Sequence, residues 1–148
     1  MSGETVPAPP EGFQASARGP YTSHNGPMFH RVAGGGVEHA FFVLKRHCNS
    51  LGIVHGGMLS TFMDGVLANA VGRETGGASV TVHLSLDFLS MARAGDWVYG
   101  DGVVTRKTKD LVFVEGRTRT GARDVMRATG IFKPVNRRAD QPTPARRV

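Results

Sequence analysis

Asn49-Ser-Leu-Gly-Ile-Val-His55-Gly56-Gly57-Met-Leu-Ser-Thr-Phe-Met-Asp64 passes from a polar, glycine-bearing loop straight into the longest helical pattern of the chain. Apolar residues recur at Leu59, Phe62, Met63, Val66, Leu67, Ala70 and Val71, at intervals of three and four, so the stretch opens a helix that we expect to end near Gly72. Thr61, Gly65, Ala68 and Gly72 make a second face of small groups that can admit a close neighbour, and Asp64 falls on the border between the two faces. The first amides of a helix have no partner within it and sit at the positive end of its dipole. Two glycines let another group approach them closely, so this opening suits an oxygen that gains negative charge during a reaction. Asp64, two turns further in, is the carboxylate of the helix nearest that opening.

Working outward, Val37 to Lys45 reads as a strand, and Gly34-Gly35-Gly36 forces a loop before it. Phe29 to Val32 reads as a short strand or turn. Residues 1–26, rich in Pro, Gly, Ser and Ala, read as a flexible arm or irregular cover. On the other side, Val80 to Phe88 alternates strictly, with Val80, Val82, Leu84, Leu86 and Phe88 on one face and Thr81, His83, Ser85 and Asp87 on the other, the pattern of a half-buried strand. Further strands are expected at Asp96 to Thr108, Leu111 to Thr120 and Asp124 to Lys133, with connections at Lys109-Asp110 and Gly121-Ala122 short enough for antiparallel hairpins. A four-strand meander following one helix implies an α+β layout, with the helix covering one face of an antiparallel sheet. Residues 27–134 make one domain, and 135–148 a basic, disordered tail.

The chain has 148 residues, 40% of them hydrophobic, enough for one core and too few for two. Its formal charge is +6, but the basic residues are scattered and several lie at Arg137, Arg138, Arg146 and Arg147, without the compact stripe of a nucleic-acid surface. A modest positive field equally favours an anionic small molecule such as a phosphate-bearing carrier. The single Cys48 excludes an intrachain disulfide, and no apolar run approaches the roughly 20 residues of a membrane helix. With no basic start followed by an apolar run, the expectation is a soluble, cytoplasmic protein.

A long helix wrapped by an antiparallel meander, with Asn49, Gly52 and His55-Gly56-Gly57 before the helix and Asp64 nine residues after the histidine, resembles the hotdog-fold thioesterases, most closely their phenylacetic-acid-degradation-type (PaaI-like) branch. The resemblance covers roughly residues 26–134; where that family often has proline after the Asn, this chain has Ser50. It implies hydrolysis of an acyl-coenzyme A thioester between two subunits of a homodimer or homotetramer, without metal or bound cofactor. By the same resemblance, the Gly56 amide polarises the carbonyl and Asp64 of the facing subunit is general base or nucleophile. Asn49 orients the carbonyl or the water, His55 shapes the loop or contacts the thioester end, and Gly57 lies beside the substrate. Thr81 stands where relatives carry a hydroxyl that positions the water, with His83 as its rival. Spacing agrees: Gly56 and Asp64 are roughly 12 Å apart along one helix, too far for one carbonyl, whereas two antiparallel copies bring the start of one to the middle of the other.

Plainer readings stand beside these. Asp64 can be a polar residue at a helix edge, Asn49 a turn residue, and His55 a histidine satisfied by the backbone. His39, His47, Cys48 and His55 lack the paired spacing of a closed zinc site, and Ser60 lacks the Gly-x-Ser-x-Gly setting of a nucleophile elbow. Trp97 and Tyr99 share a strand face and read as packing or a wall of the acyl pocket. The functional alternative is a catalytically silent hotdog module that binds acyl-coenzyme A as sensor or scaffold; a hydratase on the same fold lacks the Asp and His spacing of that branch.

Overall fold

In the computed structural model, which describes residues 3–135, the elements run β1 (Gln14–Ala15), α1 (Pro20–Asn25), β2 (Phe29–Ala33), β3 (Gly36–Phe42), a 3-10 turn (Lys45–His47), α2 (Gly56–Thr75), β4 (Ser79–Phe88), β5 (Trp97–Lys107), β6 (Val112–Thr120) and β7 (Arg123–Pro134). The tail expected over 135–148 lies, apart from Val135, outside the described residues. All seven strands form one antiparallel sheet in the order β1-β2-β3-β5-β6-β7-β4, wrapped around α2. This is the hotdog architecture that the resemblance implied.

The apolar stripe of α2 is buried as its period requires: Leu59, Phe62, Met63, Val66, Leu67 and Val71 pack against Phe41, Val98, Val112, Val114, Met126 and Phe132 of the sheet. The helix can lie close because glycines stand beneath it. A Cβ at Gly100 would come within 2.8 Å of Phe62, one at Gly116 within 2.8 Å of Leu67, and one at Gly130 within 3.2 Å of Leu67. The helix runs past Gly72 to Thr75 and ends where Gly76 takes a left-handed conformation (φ 75°). The last polar turn carries no apolar period, so the stop is set by Gly76.

Three expectations need correction. β4 does not join a four-strand meander: β5, β6 and β7 do, while β4 crosses to the far edge and pairs with β7. The place beside β5 is taken by β3. Nor is β4 half-buried along one face, because a bulge between Thr81 and His83 breaks the alternation. Thr81 pairs with the buried Phe132 on the helix side, whereas His83 turns to the outer face. Leu84 and Leu86 reach the core, but Val80, Val82 and Phe88 stay 50%, 57% and 53% exposed.

The third correction concerns residues 1–26, expected to be a flexible arm or irregular cover, which carry β1 and α1. Phe13 is buried with Phe29 and Ala40 on the outer side of the sheet, together with Trp97 and Tyr99. Trp97 meets Phe29 and Phe42 with ring centroids 5.6 and 5.4 Å apart, so it is packing on the face opposite α2 and no wall of a pocket beside the helix.

Candidate active site

The loop before α2 is built by Asn49. Its Oδ1 accepts hydrogen bonds from the backbone amides of Leu51 (2.9 Å) and Ile53 (3.4 Å), and its own amide donates to Ile53 O at 2.9 Å. Two donors on Oδ1 orient the side-chain amide and leave only its NH2 to face anything else. Gly52, at φ 72°, closes this turn.

His55 is the N-cap of α2: its Nδ1 accepts from the Gly57 amide at 2.8 Å, and its carbonyl accepts from Met58 (2.9 Å) and Leu59 (3.2 Å). Three of the four first-turn amides are thereby occupied. The fourth, Gly56 N–H, has no acceptor among the described residues. Gly57 must be glycine for this cap, since a Cβ would lie 2.9 Å from His55 Nδ1. Beside Gly56 lies the ring of Phe88, 3.4 Å from where a Cβ would be.

Asp64 is half-buried on the flank of α2 facing β4, where Thr81 Oγ1–H donates to its Oδ1 at 2.6 Å. The bond is short, as expected for a hydroxyl on a carboxylate, and leaves Oδ2 open. The bulge after Thr81 parts the two rivals: Thr81 meets Asp64, and His83 lines a depression on the outer face with Thr105, Thr129 and Ile131. Among the sequence candidates, then, Asn49, His55, Gly56 and Gly57 gather at the helix opening and Asp64 with Thr81 two turns along, while His83 stands apart.

Sequence reasoning missed the neighbours that the N-terminal segment supplies. Tyr21 hydrogen-bonds Thr61 through its hydroxyl at 3.0 Å, and with Arg46, His55 and Gly57 it borders a hollow of about 230 Å³ at the helix opening. No periodicity announces Tyr21; its position follows from how α1 is tied down. His47 does the tying: its Nε2 bonds Asn25 O at 2.8 Å and its Nδ1 accepts from Leu44 N–H at 3.1 Å, with Arg46 donating to His24 O at 2.8 Å. Burial and the adjacent Arg46 push the His47 pKa down, so the ring is neutral in this role. Burial raises the Cys48 thiol, the opposite of what a nucleophile needs. Among the described residues no group of three or more His, Cys, Asp or Glu lies close enough to share a metal ion. Nor is any helix among them long and apolar enough to cross a membrane.

A helix opening with one free amide, a hydroxyl-bound carboxylate two turns along, and a hotdog sheet around both define the class: a protein of the hotdog thioesterase kind. Residues 51–126 match the Thioesterase superfamily, and the chain belongs to that family. It is 39% identical over 127 residues to "Putative esterase PA0474" of Pseudomonas aeruginosa, covering 83% of this chain and 95% of that one. Among solved structures it is similar to a "putative thioesterase, phenylacetic acid degradation-related protein" of Ralstonia eutropha, with a TM-score of 0.70 and 27% identity over 79% of this chain and 92% of the other. A Streptococcus mutans protein bound to acetyl CoA shares the fold, with a TM-score of 0.63 and 24% identity over 69% and 82% of the two chains.

Proposed function

We propose that the protein is an acyl-coenzyme A thioesterase whose sites form between two copies, each site taking the Gly56 amide from one copy and Asp64 from the other. The observation that carries this reading is the single unspent amide of the helix opening. Three first-turn donors are satisfied locally, and the one left is at a glycine, where a carbonyl can approach. Family membership and the acetyl CoA held by the Streptococcus mutans neighbour support the class of substrate.

In this mechanism the thioester carbonyl oxygen accepts from Gly56 N–H. Thr81 donates to Asp64 Oδ1 and presents its own oxygen to a water, whose proton passes to Oδ2 as the water oxygen attacks the carbonyl carbon. The tetrahedral oxyanion is held by the amide; on collapse the carbon–sulfur bond breaks, and the proton on Asp64 goes to the departing thiolate. Direct attack by Asp64 to give an anhydride, followed by hydrolysis, uses the same groups. Asn49, through its NH2, orients the carbonyl or the water, and His55 acts by holding the loop, its Nδ1 being occupied by Gly57. Pairing of two copies is supported by β4, a ten-residue edge strand whose Val80 and Val82 are exposed, continuing into exposed Leu89 and Met91.

The test is thiol release from short, medium, long and aromatic acyl-coenzyme A thioesters by the purified protein and by Asp64→Asn. We expect hydrolysis of at least one class and a loss of about 10²–10⁴-fold in the variant. Unchanged turnover would remove Asp64 from the mechanism, and binding without thiol release across the panel would favour the silent acyl-coenzyme A module.

A further inference from the structure

Arg18 leaves the N-terminal segment between β1 and α1 and turns its guanidinium inward against α2. Its Nη2–H donates to His39 Nδ1 at 3.1 Å, and a Cβ on Gly65 would lie 4.0 Å from its Nη1. Its Nε is buried with no acceptor, and no carboxylate pairs with it among the described residues. A guanidinium partly withdrawn from water without an anion is disfavoured, and a neutral imidazole compensates it only weakly. Burial lowers the pKa of Arg18, and burial together with Arg18 holds His39 at about 4, so His39 is a neutral acceptor at working pH. Beside the pair lies a cavity of about 10 Å³, lined also by Thr22, Thr61, Phe62 and Gly65, with room for one oxygen-sized group. Thr61 also borders the hollow at the helix opening.

We propose that Arg18, braced by His39, is the seat for the far end of the acyl group, and that this end carries a carboxylate. The proposal rests on the thioesterase reading and deepens it: the preferred substrates are coenzyme A monothioesters of dicarboxylic acids. A carboxylate oxygen in the cavity receives the unspent Nε–H in a charge-assisted bond and neutralises the half-buried cation, whereas a methyl end leaves both uncompensated. In this arrangement Asp64 serves the thioester end and Arg18 the other.

The experiment compares binding, by calorimetry on the full chain, of two coenzyme A thioethers of equal chain length, one ending in a carboxylate and one in a methyl group, over a series of lengths. These probes lack the ester carbonyl and are not hydrolysed. At the best length the carboxylate end should bind at least about tenfold tighter, the ratio should fall to about one in Arg18→Gln, and Arg18→Lys should keep part of it. Equal affinity for the two ends in the wild-type protein, at every length, overturns the seat without recourse to any variant, as does a ratio that persists in Arg18→Gln. Melting of Arg18→Gln separates the plainer reading: an arginine that only pins the N-terminal segment gives a lowered Tm with no carboxylate preference to lose. Hydrolysis of hexanoyl-coenzyme A is followed in parallel. Its absence together with that of the whole acyl series counts against the thioesterase reading, while the thioether ratio alone decides the seat.

Discussion

At the scale of single residues, the site is a matter of which hydrogen-bonding groups are already occupied. His55 spends Nδ1 on Gly57 and its carbonyl on Met58 and Leu59, which singles out the Gly56 amide. Asp64 is oriented by Thr81 through Oδ1, which leaves Oδ2 without a partner among the described residues. His39 shows the same logic in a buried setting. It is 2% exposed, and burial, with Arg18, His30 and Arg73 adding positive charge, lowers its pKa from 6.5 to about 4. The folded protein therefore binds fewer protons than the unfolded chain between these values, so stability rises with pH in that window and is lost as pH falls through it. The contribution of His39, present in full above pH 6.5, is of the order of 3 kcal/mol. Denaturant midpoints measured from pH 7 to 4 should fall more steeply for the wild-type protein than for His39→Gln; parallel curves would show that His39 is not the group responsible.

At the scale of elements, α2 is defined by what lies beneath it as much as by its own sequence. The glycines at 100, 102, 116 and 130 form a floor on β5, β6 and β7 that brings the helix close to the sheet. At Gly116 an added Cβ would come within 2.6 Å of Asp101 O, a backbone atom that cannot step aside. Gly116→Ala should therefore cost about 1–3 kcal/mol, read as a shift of the denaturation midpoint, although alanine is a better strand residue than glycine in isolation. The bulge at Val82 is the other decisive local feature, since it sends Thr81 to the helix and His83 to the outer face. The alternation of β4 is plain in the sequence, yet period-2 reading assumes an unbroken ladder; one extra residue reverses every assignment beyond it.

At the scale of the whole molecule, the Gly56 amide and Asp64 stand on one helix with roughly 12 Å of rise between them, so a single copy does not close the proposed site. Gly56→Pro tests this without dismantling the helix. It removes the N–H, proline is favoured at the first helical position, and His55 already has the extended ψ of 136° that a residue before proline adopts. Alone, Gly56→Pro should lower kcat by about 10²–10³-fold, and Asp64→Asn by a comparable factor. Mixed after unfolding and refolding together, the two should recover about a quarter of wild-type activity, because each mixed dimer holds one intact site and one doubly defective site. No recovery would place both groups in the same copy's site.

The sequence by itself determined the helix, most of the strands, the α+β class and the residues that crowd the helix opening, because these follow from local periodicity, glycine conformation and the orphan amides of a helix start. It did not determine which edge β4 would occupy, where its ladder would slip, or that Trp97 would pack on the sheet's far face. Nor did it show that the N-terminal segment would bring Arg18 and Tyr21 to the flank of α2. Those outcomes depend on pairings between residues distant in sequence, whose energies are decided by burial and register when the sheet closes, and no local pattern encodes them.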